Sequence, residues 1–280
     1  MLPVELVDQI FGHSDHNTLE VSGKAHPFLL HVAERHLYAN ITIHNELEYR
    51  APDRTLAFGV PQLLVLLSHS PHVATYVRNL TILVHQFDDF LDDVASILPL
   101  FLQLRSINLT STIRVYYMRW LELPESFQVS FVDCLRLPSM KEVAFFGAEI
   151  PLSILDECRS LKKLKLDVCN VSDSDLVLDS PYPSFESLSV INASSWSLRK
   201  ISAWAMKRPL RSFLCAQDPT ELMVGSVGIV APLLRSCVDT LTTLELDLKG
   251  TCKSIIFLGL RTRVGTNQLE IFDRQYTSKT

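Results

Sequence analysis

The 280-residue chain predicts an α/β protein in which a small N-terminal helical module leads into an irregular solenoid of short parallel strands alternating with helices. Three observations carry that prediction. Helical apolar stripes fill most of the first 43 residues, apolar triplets spaced 0, 3 and 5 recur along the remainder, and further helical stripes fall between those triplets.

The first helix opens at Leu2-Pro3 and places Leu6, Val7, Ile10 and Phe11 on one stripe. Pro3 suits the first turn, where its missing N–H costs nothing, and Glu5 and Asp8 lie toward the positive end of the helix dipole. A helix this short is not a domain, so it is expected to dock. After the polar break HSDHNT, where Asp15, Asn17 or Thr18 offers an N-cap, the run LEVSGKAHPFLLHVAERHLYANITI puts Phe28, Leu29, Val32, His36 and Leu37 on a second stripe. It ends in the β-prone Ile41-Thr42-Ile43. Residues 44–59 are polar, carry Pro52 and Gly59, and read as a connector; a helix over 61–68 follows and stops at Ser70-Pro71.

The triplets then begin. They are Val77/Leu80/Ile82, Leu104/Ile107/Leu109, Met140/Val143/Phe145, Leu161/Leu164/Leu166, Phe185/Leu188/Val190, the poorer Leu210/Phe213/Cys215, Leu241/Leu244/Leu246 and Thr266/Leu269/Ile271. Their start-to-start steps of 27, 36, 21, 24, 25, 31 and 25 residues fall mostly in or near the range of leucine-rich repeats. One strand-plus-helix unit cannot cover its own apolar face, so each unit is expected to be buried by its neighbours. The clearest intervening helix places Phe90, Leu91, Val94, Leu98, Phe101 and Leu102 on one face, with Asp88, Asp89, Asp92 and Asp93 in or near its first turn. Shorter ones are expected over 154–158 and 227–235. A doubly wound α/β fold is disfavoured, because the strands are short and no glycine-rich loop follows the first of them.

Composition narrows the function. A formal charge of -5, a pI near 6.0 and no basic run argue against nucleic acid or an anionic membrane as partner. No stretch reaches the roughly 18 uncharged apolar residues of a membrane span. A docking helix starting at residue 2 leaves no room for a secretory leader, so the five N-x-[ST] sequons at Asn40, Asn79, Asn108, Asn170 and Asn192 read as incidental. The six cysteines form no CxxC pair and read as buried thiols; Cys158, with Asp156 and Glu157 nearby, reads as a core thiol rather than a nucleophile. His13, Asp15 and His16 read as a capped turn rather than a metal site, and the aspartates around residue 90 as a solvated helix start. GxSxG, HExxH, GxxxxGK[ST] and GxGxxG motifs are missing, so no enzyme, cofactor or metal is expected. An enzyme would need a site assembled from distant residues such as His72, Asp167 and Cys215.

The segments LPVELVDQIF, KAHPF and AERHLYANITI together resemble an F-box, the helical module that binds a Skp-type adaptor within a cullin ubiquitin ligase. Where a typical F-box carries a longer helix, Gly23 and His26-Pro27 interrupt this one. Ser70, Pro71, His72, Tyr76, Val77, Arg78, Leu80, Thr81 and Ile82 are similar to the entry into the repeats of the fungal F-box/leucine-rich-repeat group, and LPSMKEVAFFGAEIP and CRSLKKLKLDVC to its later repeats. The resemblance implies an F-box-like module over 1–43, a connector and entry helix over 44–76, and a repeat array over 77–280. It implies a substrate receptor that binds an adaptor, and through it a cullin, by Leu2, Pro3, Leu6, Ile10, Phe28 and Leu37. Such a protein works in the cytoplasm, the nucleus or both. The period of 2 along a strand assigns Asn108, Phe146, Lys163, Lys165, Ser189 and Glu245 to the open face that would hold a target protein, with Phe146 as anchor and Lys163 and Lys165 as a basic spot. The alternative is a leucine-rich-repeat interaction scaffold whose degenerate F-box plays no part in a ligase.

Overall fold

The computed structural model describes residues 3–45, 55–85, 90–112, 117–172, 185–206, 209–217 and 226–248. They fall into two compact units, one within Met1–Ile113 and Leu123–Met140, the other within Arg114–Glu122 and Lys141–Thr280. Both are α/β, with short parallel strands alternating with helices.

The first unit begins with three helices, α1 (Val4–His13), α2 (His16–Ala25) and α3 (Pro27–Leu37). Asp15 caps α2, its carboxylate accepting the Thr18 N–H at 2.8 Å. Gly23 lies buried inside α2, and a Cβ built there would sit 3.4 Å from both the Ala33 Cβ and a Leu30 methyl of α3, so the glycine brings the two helices close. Pro27 is the first residue of α3, and the His26 imidazole accepts the Phe28 N–H at 3.1 Å. His26-Pro27 therefore separates two well-capped helices and costs neither an interior hydrogen bond. Val7, Phe11, Leu19, Val32 and Ala33 form the core of this trio, with Phe28, Leu29 and Leu37 packed against it.

Strand β1 (Asn40–His44) pairs on one side with β2 (Leu56–Phe58) and on the other with β3 (Asn79–Val84), which pairs with β4 (Ser106–Ser111). Helix α4 (Val60–His69) and a 3₁₀ turn (Pro71–Thr75) lead into β3; α5 (Phe90–Ile97) lies between β3 and β4, and α6 (Glu125–Leu135), which the sequence reading passed over, follows. Asp92 and Asp93 fall in the first turn of α5, where Asp92 accepts a hydrogen bond from the Ser126 hydroxyl; Asp88 and Asp89 lie outside the described residues.

In the second unit five parallel strands run in chain order, β6 (Glu142–Phe146), β8 (Lys163–Asp167), β10 (Ser187–Ile191), β11 (Ser212–Gln217) and β12 (Thr243–Leu248). A smaller parallel sheet joins β5 (Met118–Arg119), β7 (Ala148–Pro151) and β9 (Asn170–Ser172). Helices α7 (Ser153–Asp156), α8 (Ser195–Ala205) and α9 (Ser226–Ser236) lie between strands; α8 is the second helix absent from the sequence reading.

The triplets fall in register. Leu80 faces Ile107 and Ile82 faces Leu109 in the first unit. In the second, Val143, Leu164, Leu188, Phe213 and Leu244 form one row, and Phe145, Leu166, Val190, Cys215 and Leu246 the next. Every side chain of the seven described triplets is at most 8 % exposed, the poorly matching Leu210/Phe213/Cys215 included; Thr266/Leu269/Ile271 lies outside the described residues. Tyr38, Ile41 and Ile43 have the same spacing, and Ile41 and Ile43 face Leu80 and Ile82, so the register extends one strand earlier than the spacing alone revealed. Between the buried rows the other residues of β4, β8 and β10 are half-buried or exposed, the alternation of a sheet covered on one face rather than two.

Each corner after β6, β8 and β10 uses one left-handed residue, Gly147 (φ 66°), Val168 (φ 51°) and Asn192 (φ 50°). Their N–H groups donate to the carbonyls of Asp167, Ile191 and Ala216, residues at the same register height of the following strands, at 3.1, 2.8 and 2.8 Å. Buried Cys169 adds to this tie, its thiol within 3.3 Å of both the Phe145 and Asp167 carbonyls.

Two substitutions test these readings. Gly23→Ala, whose methyl meets only ordinary contacts, raises stability by about 0.5–1 kcal/mol through helix propensity, whereas Gly23→Leu pushes α3 away and lowers it; urea unfolding followed by circular dichroism distinguishes the two. Val168→Asn relieves a β-branched residue held at positive φ and gains about 1 kcal/mol, whereas Gly147→Val costs about 1–2 kcal/mol, read as opposite shifts in melting temperature.

Candidate functional site

The first candidate surface is α1. Its apolar residues do not share one stripe: Val7 and Phe11 are buried in the three-helix core, while Val4, Leu6 and Ile10 are 42, 46 and 54 % exposed. The reason is period. Residues 7 and 11 lie one turn apart on the inner face, and 6 and 10 lie on a neighbouring face that the described residues leave about half exposed. Val21 and Leu30 add exposed apolar side chains from α2 and α3. Of the residues that the F-box resemblance implies for adaptor contact, Pro3, Leu6 and Ile10 are exposed, Phe28 and Leu37 are half-buried against the core, and Leu2 lies outside the described residues.

Polar contacts hold α1 against α3. The Asp8 carboxylate receives the Arg35 guanidinium at 2.6 Å and lies 2.9 Å from His36 Nε2, which places His36 at the helix junction rather than on an apolar stripe. On its other side α3 is joined to the segment leading into β3. The Tyr76 hydroxyl lies 2.7 Å from His31 Nδ1, His72 Nε2 lies 3.4 Å from the Glu34 carboxylate, and both imidazoles meet the Tyr76 ring edge-to-face at centroid distances of 5.6 and 5.7 Å. Burial, and then the Glu34 charge, raises the Tyr76 pKa above the ordinary phenol value, so it remains a neutral hydrogen-bonding group. The Arg78 guanidinium donates to the Thr75 carbonyl at 2.8 Å. His72, Tyr76 and Arg78, singled out in the sequence as a family-like run, thus form the joint between helical module and strands.

The second candidate surface is the open face of the strands. Phe146 is 39 % exposed and lies in one row with Asp167, Ile191 and Ala216. Lys163 and Lys165 are exposed, but they do not make a basic spot: Lys163 meets Glu142 at 2.5 Å and Lys165 meets Asp167 at 3.5 Å. Both pairs arise from register and period, since Glu142 is the cross-strand neighbour of Lys163 and Asp167 lies two residues from Lys165 on the same face. Ser189 is half-buried and Glu245 exposed; Asn108, half-buried on β4 of the first unit, accepts the Thr110 hydroxyl at 3.1 Å.

The residues weighed for chemistry have structural roles. His72 faces Glu34 and Tyr76, Asp167 faces Lys165, and Cys215 is buried in an inner row. Burial pushes the Cys134 and Cys158 thiols up to about 12, and Cys169 up to about 11, so none is a thiolate near neutral pH. Among the described residues no group of three or more His, Cys, Asp or Glu is placed to hold a metal, and no helix is long and apolar enough to cross a membrane.

The joint around Tyr76 is tested by truncation. Tyr76→Phe removes the hydroxyl bond to His31 and costs about 1 kcal/mol, whereas Tyr76→Ala also empties a buried ring site and costs about 3–5 kcal/mol, both read from urea midpoints. No family model matches the chain, and neither does any curated protein.

Proposed function

We propose that the chain is the substrate-receptor subunit of a Skp/cullin/F-box ubiquitin ligase. Residues 1–43 act as the F-box-like module, 44–76 as connector and entry helix, and 77–280 as a leucine-rich-repeat solenoid. The observation that carries this reading is the outward apolar row of α1, where Leu6 and Ile10 are about half exposed although Val7 and Phe11 beside them supply the core. Exposed Leu and Ile one turn apart on a rigid, twice-anchored helix suit an apolar groove of a partner. In-register triplets, alternating burial and left-handed corners support the repeat part of the reading.

In this role the protein does no chemistry. It binds an adaptor through α1 and its neighbours and holds a target on the open strand face, around Phe146 and Ile191, raising the effective concentration of the target's lysines near a charged conjugating enzyme. It needs no cofactor and works in the cytoplasm, the nucleus or both.

The test is co-purification with a Skp-type adaptor. Wild type binds, and Leu6→Ser/Ile10→Ser abolishes binding while shifting stability by no more than about 0.5 kcal/mol, since both side chains face solvent. A folded wild type that fails to bind overturns the reading and favours an interaction scaffold outside any ligase.

A further inference from the structure

A cavity of about 330 Å³ opens in the first unit where α3, the segment before β3 and the segment before β4 meet. Its lining includes Arg35 from α3, Arg78 directly before β3, and Leu100, Leu102 and Gln103 ahead of β4. Leu100 and Leu102 are 46 and 66 % exposed. The charge here is unbalanced. Arg35 is neutralised by Asp8, whereas among the described residues Arg78 bonds only to the backbone carbonyls of Thr75, Val77 and Gln103, through Nη1. Among these residues its Nε and Nη2 make no hydrogen bond and no carboxylate pairs with it. Arg105 likewise makes no ion pair among the described residues and lies close enough for its charge to act on Arg78. Burial first, then Arg105 and Arg35, lowers the Arg78 pKa, the direction expected of a cation without a counter-ion.

A half-buried guanidinium in a cavity lining that spends one nitrogen on carbonyls keeps a fork of N–H groups that matches a planar pair of anionic oxygens. The concentration of positive charge is local, since the chain as a whole carries -5. The Gln103 side-chain amide, with no partner of its own among the described residues, supplies a further donor, and the leucines supply an apolar wall. We propose that this cavity is a binding site for a phosphomonoester carried on an apolar group, its oxygens held by Arg78 and Gln103 in the field of Arg35 and Arg105, with the apolar group against Leu100 and Leu102. A dianion suits the site better than a carboxylate, because Arg78 in its lining makes no ion pair among the described residues and the charge of Arg105 acts on it from nearby. The ester is either a free small molecule or a phosphorylated side chain flanked by leucine. The proposal does not rest on the ligase reading, since the site needs no adaptor and its test uses the chain alone.

The experiment is calorimetric titration of the full chain with phenyl phosphate, with a phosphoserine pentapeptide flanked by leucines, and with its unphosphorylated counterpart. Wild type binds a phosphorylated probe at least about tenfold more tightly than the unphosphorylated peptide, as charge-assisted bonds require. Arg105→Gln, which breaks no side-chain bond among the described residues, weakens this about fivefold or more, and Arg78→Gln abolishes it, the thermal melt of each variant certifying that it is folded. Binding of phenyl phosphate and peptide alike supports the site with a free ester as source; binding of the phosphopeptide alone supports it with a modified protein as source. Equal affinity for the two peptides with no uptake of phenyl phosphate, or phosphate binding unchanged by Arg105→Gln, overturns the proposal.

Discussion

Everything in the strands depends on register. A strand of five or six residues with apolar side chains at alternate positions buries them only if the neighbouring strand presents its own at the same height, because a slip of one residue turns every inner side chain outward. In the second unit Val143, Leu164, Leu188, Phe213 and Leu244 satisfy that condition across five strands, and Phe145, Leu166, Val190, Cys215 and Leu246 satisfy it again one step along. Cys215 is instructive: a thiol is tolerated in a row of Phe, Leu and Val because a buried free cysteine behaves as a small apolar side chain. Chain-order pairing from β6 through β8, β10, β11 and β12 follows, since each new unit finds its cover only on the last.

Register also explains the corners. When inner rows are aligned, the chain must leave the sheet at the same height in each unit, and Gly147, Val168 and Asn192 occupy that height. A left-handed residue there turns the N–H back onto a carbonyl at or next to the end of the next strand, so the backbone satisfies itself at the corner. Glycine and asparagine suit that conformation; valine does not, and its presence shows how strongly the flanking strands dictate the turn.

The helical module obeys a different geometry. Three short helices of ten or eleven residues are stable together because their inner faces close on Val7, Phe11, Leu19, Val32 and Ala33, and Gly23 lets α2 and α3 approach. That small core leaves Leu6 and Ile10 outside. Asp8 on one side and Tyr76 on the other then hold α3, and through it the exposed row, in one orientation relative to β3. The docking proposed for this row would gain from such fixed placement, since less ordering accompanies binding.

The sequence by itself determined the α/β class, the helical start and the rows of the strands, because burial in a pleated strand or a helix imposes periods of 2 and 3.6 on apolar residues wherever they occur. The poorly scoring Leu210/Phe213/Cys215 was legible for the same reason. Contacts between distant residues carry no period. Thus the division of α1 into an inner pair, Val7 and Phe11, and an outer pair, Leu6 and Ile10, was decided by where α2 and α3 pack. The neutralisation of Lys163 was decided by its cross-strand neighbour Glu142, 21 residues away. Helices α6 and α8 escaped notice because polar residues interrupt their stripes, and β5, β7 and β9 because strands of two to four residues are too short to show alternation. The unpaired Arg78 beside Arg35 and Arg105 exists only in three dimensions, for a residue's counter-charge is set by which segments the fold brings together.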